Sequence, residues 1–201
     1  MQKPNGYDEA KSGGEFTPVE LGGHYAIIKQ VTETQSATGK DMVVVLLDFA
    51  AEDKQAHYHS DAFDNDTREE RKWPYNGSKW IMVKDYNDPN KTSRDFKTFC
   101  TCYEKSNNAT VQWGGKNWAA QFKNKKIGIV YGEVESEYDG KVTMKHLPRW
   151  FCSWDAVKDS NIPNPKYLDN NTTAPAHATA GKTVDDNFIN VPEGVDESIP
   201  F

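Results

Sequence analysis

A mainly β fold carrying one helix is what this sequence predicts, on three observations. Short runs rich in β-branched and aromatic residues recur between turn signals. One segment carries a clean helical apolar stripe. The order is three strands, a helix, then two strands. The 201 residues suffice for one domain of ordinary size with additional segments. Hydrophobic residues make up 36% and mean hydropathy is -0.83, yet aromatics reach 12%. That balance fits a compact core with an aromatic-rich surface and some unstructured chain, rather than disorder throughout.

Taken in order, residues 1–21 read as a flexible arm ending in "KSGGEFTPVELGG". "HYAIIKQVTETQ" is the first strand, "SATGKD" a turn, and "MVVVLLDFA" a second strand, apolar on both faces and therefore central. "AHYHSDAF" fits a half-exposed third strand. Thr67 and Glu70 have capping-box spacing, which allows one helical turn before Pro74 stops it. The helix proper starts at Thr92, with Phe96, Phe99, Cys100 and Tyr103 on one face. "KIGIVYGEVES" is the fourth strand, followed by an Asp-Gly hairpin signal in "EYDGK". In the fifth, "VTMKHLPRWFCSW", the parity of Val142, Met144, Trp150, Cys152 and Trp154 predicts the core face, and Pro148 an edge or a bulge.

Five short strands in this order, with a helix between the third and fourth, suit a five-stranded Greek-key barrel, the OB-fold, over residues 22–159. A β-sandwich or an α+β roll would give much the same string. Beyond Ser160 the Asn-, Thr-, Ala- and Pro-rich stretch to 195 lacks periodicity and reads as a disordered linker.

Composition also excludes functions. No apolar run approaches the roughly 20 residues a membrane span needs. The first residues lack an apolar signal core, and three cysteines are too few for a disulfide framework. A cytoplasmic chain with free thiols is expected. "AHATAGKT" matches a relaxed phosphate-loop pattern but lacks the flanking strand and helix, and reads as coincidence. Asp61, Asp64, Asp66, Glu69 and Glu70 cluster without the register of a calcium loop and read as a solvated loop. His57 and His59, on one strand face, with Cys100 and Cys102 lack zinc-site spacing. No nucleophile motif is found. Neither cofactor nor enzymatic activity is expected.

The charge is uneven. The chain carries -6 overall, residues 1–78 alone carry -6, and residues 79–149 carry +5. A locally basic middle can face a polyanion. There "RKWPYNGSKWIMVKDY" interleaves cations and rings, and "KNWAAQFKNKK" adds Trp118, Phe122 and several lysines. Unpaired nucleic acid needs both: cations track phosphates and release counterions, and rings stack on bases. Trp73, Tyr75, Trp80 and Tyr86 are the expected rings, with Lys72, Lys79, Lys84, Lys145 and Arg149 as the expected cations. A Pro/Asn/Gly-containing loop has little reason to hold two Trp and a Tyr internally.

The last residues, "DESIPF", cannot continue a helix past Pro200 and are too short for a strand. Phe201 suits a partner's apolar pocket, with Asp196, Glu197 and the terminal carboxylate meeting a basic rim. As a flexible coil, residues 160–195 would reach roughly 30–35 Å. This ending resembles the acidic tip of bacterial single-stranded DNA-binding proteins, with Ser198 departing from the acidic pattern. The body is similar to phage and prophage members from Gram-positive hosts in "FKTFCTCYEKSN", "KKIGIVYGE" and "LPRWFCSWDAV", over roughly residues 22–168. The resemblance implies an OB-fold that coats single-stranded DNA in replication and recombination. It also implies that Asp196, Glu197, Ile199, Pro200 and Phe201 dock helicase, primase or recombinase partners. A homo-oligomer is compatible with this reading. Two alternatives stay open: a recombination mediator or annealing protein, and a β-module binding another ligand, such as carbohydrate, through the same rings.

Overall fold

In the computed structural model the described residues are 3, 17–115 and 117–168. They form a five-stranded antiparallel sheet with two helices. The elements are β1 (Gly22–Gln35), β2 (Asp41–Phe49), α1 (Tyr58–Asp64), β3 (Ser78–Met82), α2 (Arg94–Asn107), β4 (Lys126–Tyr138) and β5 (Lys141–Cys152). The sheet runs β3-β2-β1-β4-β5. The tail segment 169–201, with the expected partner tip Asp196, Glu197, Ile199, Pro200 and Phe201, lies outside the described residues.

The core lies on one face of the sheet. Val31, Val43, Val45, Leu47, Phe49, Ile81, Ile127, Ile129 and Tyr131 meet Phe96, Phe99, Cys100 and Tyr103 of α2. The stripe expected on α2 is therefore its buried face. Its cap is Ser93 rather than Thr92: the Ser93 hydroxyl accepts from the Phe96 amide and also donates to the Met82 carbonyl. The helix start is thus fastened to the end of β3. Asp139 and Gly140, both at positive φ, make the two-residue turn between β4 and β5.

Two expectations about local structure are overturned. Residues 56–63 are not the third strand; they are a turn that leads into α1 (Tyr58–Asp64), and the third strand is Ser78–Met82. The cause is remote in sequence. Asp48, at the end of β2, accepts hydrogen bonds from the His59 and Ser60 amides and from the Ser60 hydroxyl. A buried carboxylate thereby caps a helix start that lacks a side-chain cap of its own. The Thr67–Glu70 turn is likewise not helical. There the Asp66 carboxylate takes the Arg68 guanidinium and the Arg68 amide, drawing the chain into a bend.

The fifth strand carries the other correction. Its register shifts between Val130/Tyr131 on β4 and Pro148/Trp150 on β5, and this bulge reverses the parity. Phe151 enters the core, whereas Trp150 is 39% exposed; Val142 and Met144, before the bulge, lie in a stretch exposed on both faces. Trp154 is half-buried outside the core cluster, packed on Tyr25 with the Lys126 ammonium over its ring.

Residues at both ends of the expected domain pack against it. Val19 is buried in the core. Beyond β5, residues 153–168 form a strap across the opposite face of β1 and β4. It sits where glycines admit it: a Cβ on Gly128 would lie 2.5 Å from Cys152 Sγ and 2.7 Å from Val157, and one on Gly132 would lie 2.3 Å from Pro163. Lys166 then pairs with β4, donating to the Glu133 carbonyl at 2.9 Å and accepting from the Glu135 amide at 2.7 Å. It takes the edge left vacant because β1 starts opposite Tyr131. Gly128→Ala should therefore destabilise the fold by about 1–3 kcal/mol through overpacking; a denaturant midpoint equal to wild type would contradict this seating.

Candidate functional site

Alternation along β3 divides its side chains. Lys79 and Ile81 turn inward, while Ser78, Trp80 and Met82 turn outward, beside Leu46, Val44 and Met42 of β2. The strap covers the β1–β4 half of this outer face; on the β2–β3 half Met42, Val44, Leu46 and Ser78 are buried, and Trp80 and Met82 are half-buried. Lys84 continues the outward row through an isolated bridge to Thr92. From Ser78 to Lys84 the extended run measures about 20 Å.

Rings stand at both ends of that row. Tyr75, in the tight turn before β3, is 63% exposed, and Tyr86, in the loop after it, is 58% exposed. The Lys40 ammonium, from the β1–β2 turn, sits 3.9 Å over the Tyr86 ring. Lys84 lies 3.9 Å from Asp41, and both are well exposed. Trp80 is half-buried, midway along the row. Trp80 and Lys84 thus share one outward row, exposed Tyr75 and Tyr86 flank it along the chain, and Lys40 packs on Tyr86 although its sequence context gave no sign of it.

Trp73 has a different place. Its indole N–H donates to the Gly77 carbonyl at 3.1 Å, and its ring packs against Phe63 at 5.6 Å. A Cβ on Gly77 would lie 2.6 Å from that nitrogen. Trp73 holds the turn that displays Tyr75. Lys72, half-buried, precedes it.

Two of the expected cations are corrected. Lys79 is 5% exposed and donates from Nζ to the Arg149 carbonyl at 2.8 Å, spanning from β3 to β5. Burial pushes its pKa down to about 8; Asp95 opposes this, while Arg149 and Lys166 add to it. Arg149 is 7% exposed and donates to the Glu133 and Asn164 carbonyls, at 3.3 and 3.1 Å. Both hold backbone together instead of facing solvent. Lys145 is exposed on β5, opposite Val134. The sequence could not separate these cases, because the bulge at Pro148 and the inward parity of Lys79 depend on pairing.

The buried polar groups are structural. His24 contacts Asp53 Oδ1 at 3.0 Å and the Glu20 carbonyl at 2.9 Å. Burial raises the Asp53 pKa, but the hydrogen bonds from His24, Gln55 and Tyr25 outweigh it and hold the carboxyl below its usual range. His59 meets the Tyr131 hydroxyl at 3.1 Å, and that hydroxyl donates to the Asn76 carbonyl at 2.5 Å. Burial pushes the thiols of Cys100 and Cys102 up to about 11 and about 12, so neither is a nucleophile at neutral pH. Among the described residues no group of three or more His, Cys, Asp or Glu could hold a metal ion. None of the helices there is long and apolar enough to cross a membrane.

One ring escaped the reading of the sequence. Trp113, in the loop after α2, is 65% exposed and stacks on Trp118 at 5.8 Å and 20°. "QWGGK" carried the signal used for residues 71–80: a Trp beside turn residues and a cation. No protein-family model and no curated protein sequence matches this chain.

Proposed function

We propose that this chain is a sequence-nonspecific single-stranded DNA-binding protein whose folded part is an OB barrel. The sheet order β3-β2-β1-β4-β5 supports the fold, being the order of such a barrel opened between its third and fifth strands. Lys79, reaching from β3 to the β5 backbone, bridges those two edges. The observation that carries the function is the outward row on β2–β3, the face this fold uses for oligonucleotides. Tyr75, Trp80 and Tyr86 offer flat rings, and Lys40 and Lys84 supply charge beside them. Rings accept bases of any sequence because every base has a π-face. The protein coats unpaired strands during replication or recombination, and the tip Asp196, Glu197, Ile199, Pro200 and Phe201 recruits helicase, primase or recombinase partners.

Fluorescence titration of the full chain with poly(dT) tests this. Tryptophan quenching is expected, with log K falling against log salt by about 0.7 per phosphate neutralised. Deleting Ile199 to Phe201 should leave that binding intact and end partner capture. Unquenched fluorescence in dilute buffer would overturn the reading, and salt-independent binding to oligosaccharide would replace it.

A further inference from the structure

The Trp113 loop is built to present its ring. Glu104 Oε1 accepts from the Val111 amide at 2.9 Å, and Val111 is buried. The Gln121 side chain brackets the next residue, accepting from the Gln112 amide at 2.8 Å and donating to the Gln112 carbonyl at 3.0 Å. With two successive residues pinned, the chain delivers Trp113 to the surface in a set position. Beneath the ring lies Trp118, which in turn meets the buried Phe122 edge-on at 4.7 Å. To one side is Phe96, at 6.2 Å. Beyond Trp113, a Cβ on Gly114 would meet nothing within 4 Å, and Gly115 is almost as open. A large ring is thus fixed from below and free of neighbours on the chain beyond it. Such preorganisation lowers the ordering cost of accepting a flat ligand.

The element beneath this ring is also tied to the end of β3. Ser93 joins the Met82 carbonyl to the first turn of α2, and the buried Phe96 belongs to that turn. Exposed Arg94 and Lys97 are carried on that same turn, with exposed Asp95 between them, so its net charge is positive. Rings with neighbouring cations are what an unpaired strand recognises. We propose that Trp113 is a further base-stacking station, taking one nucleobase of the same single strand after it leaves the β2–β3 face at the α2 end. This rests on the single-stranded DNA reading and adds to it a residue and a direction for the strand. The occupant is a base with its phosphate, because a purely apolar partner would have no use for Arg94 and Lys97.

The test is a length series of oligo(dT) titrated into full-length wild type, Trp113→Ala and Trp113→Phe, read by anisotropy of a labelled oligonucleotide. Wild type should gain affinity once the strand is long enough to pass α2. Trp113→Ala should lose about 10- to 100-fold on those longer strands, the effect of one stack, and bind the shortest ones as wild type does. Trp113→Phe, which keeps a ring, should recover most of the loss. Photocrosslinking of wild type to 5-iodouracil oligonucleotides, followed by peptide mapping, gives a readout independent of any variant's folding, and the 111–115 peptide should be labelled. If wild type binds while Trp113→Ala matches it at every length and that peptide stays unlabelled, this proposal fails and the broader reading stands. If wild type binds no oligonucleotide, both fail.

Discussion

Replacing Tyr75 and Trp80 together by alanine should weaken poly(dT) binding by about 2–4 kcal/mol, since each base–ring stack is worth about 1–3 kcal/mol. Tyr75 is 63% exposed and lies outside the core cluster, so its loss leaves the core untouched. Trp80 stands beside Val44 on the outer face, not among the core residues. A circular-dichroism melt should therefore show a folded variant. The cations sharpen the test. Lys84→Ala should flatten the salt dependence by about 0.7, one phosphate's share. Lys79→Ala should lower stability and leave the salt slope unchanged, because its ammonium is spent on the Arg149 carbonyl inside the protein. A double variant that binds as wild type does, or a Lys79 variant that alters the slope while Lys84 does not, would place the strand elsewhere.

Acidification should unfold the domain through His59. Its side chain is fully buried between Phe49 and Tyr131. Burial pushes its pKa down from the ordinary 6.5 to about 4; Asp48 opposes the shift and His24 adds to it. The folded state thus prefers neutral imidazole. Its contribution is fully present above pH 6.5, declines as the pH falls toward 4, and is exhausted below that. Within this window the unfolded chain binds the extra proton, so stability rises with pH. The gap of about 2.5 units corresponds to about 3 kcal/mol. Asp53 acts in the same direction at lower pH: with its folded pKa depressed, its contribution is lost as the pH drops below the ordinary carboxylate range. Urea midpoints measured from pH 7 to pH 4 should fall steeply for wild type and much less for His59→Gln. Parallel curves would mean that His59 is not the group that titrates.

The sequence was most legible where local chemistry decides. The α2 stripe, the Asp-Gly turn and the long runs of β1, β2 and β4 follow from periodicity and turn residues within a few positions. Reading failed where a distant group intervened. "AHYHSDAF" has strand-like composition, yet Asp48 supplies the acceptor that its amides need to start a helix. The first part of β5 is exposed on both faces, Val142 and Met144 included, and the bulge at Pro148 then turns Phe151 inward and Trp150 out. In the candidate site, the interleaving of rings and cations was visible across residues 71–86, whereas their division into displayed and internal members was not.

By itself the sequence determined which segments are apolar enough to pair or pack, where the chain turns, and that its middle carries the positive charge. Only the tertiary structure decided direction. It sends Lys79 and Arg149 inward, sets Trp80 and Lys84 in one outward row between exposed Tyr75 and Tyr86, and raises Trp113 on a pinned loop. The physical reason is that composition fixes how much a residue gains by leaving water, while pairing register and backbone hydrogen bonds fix which way it can point.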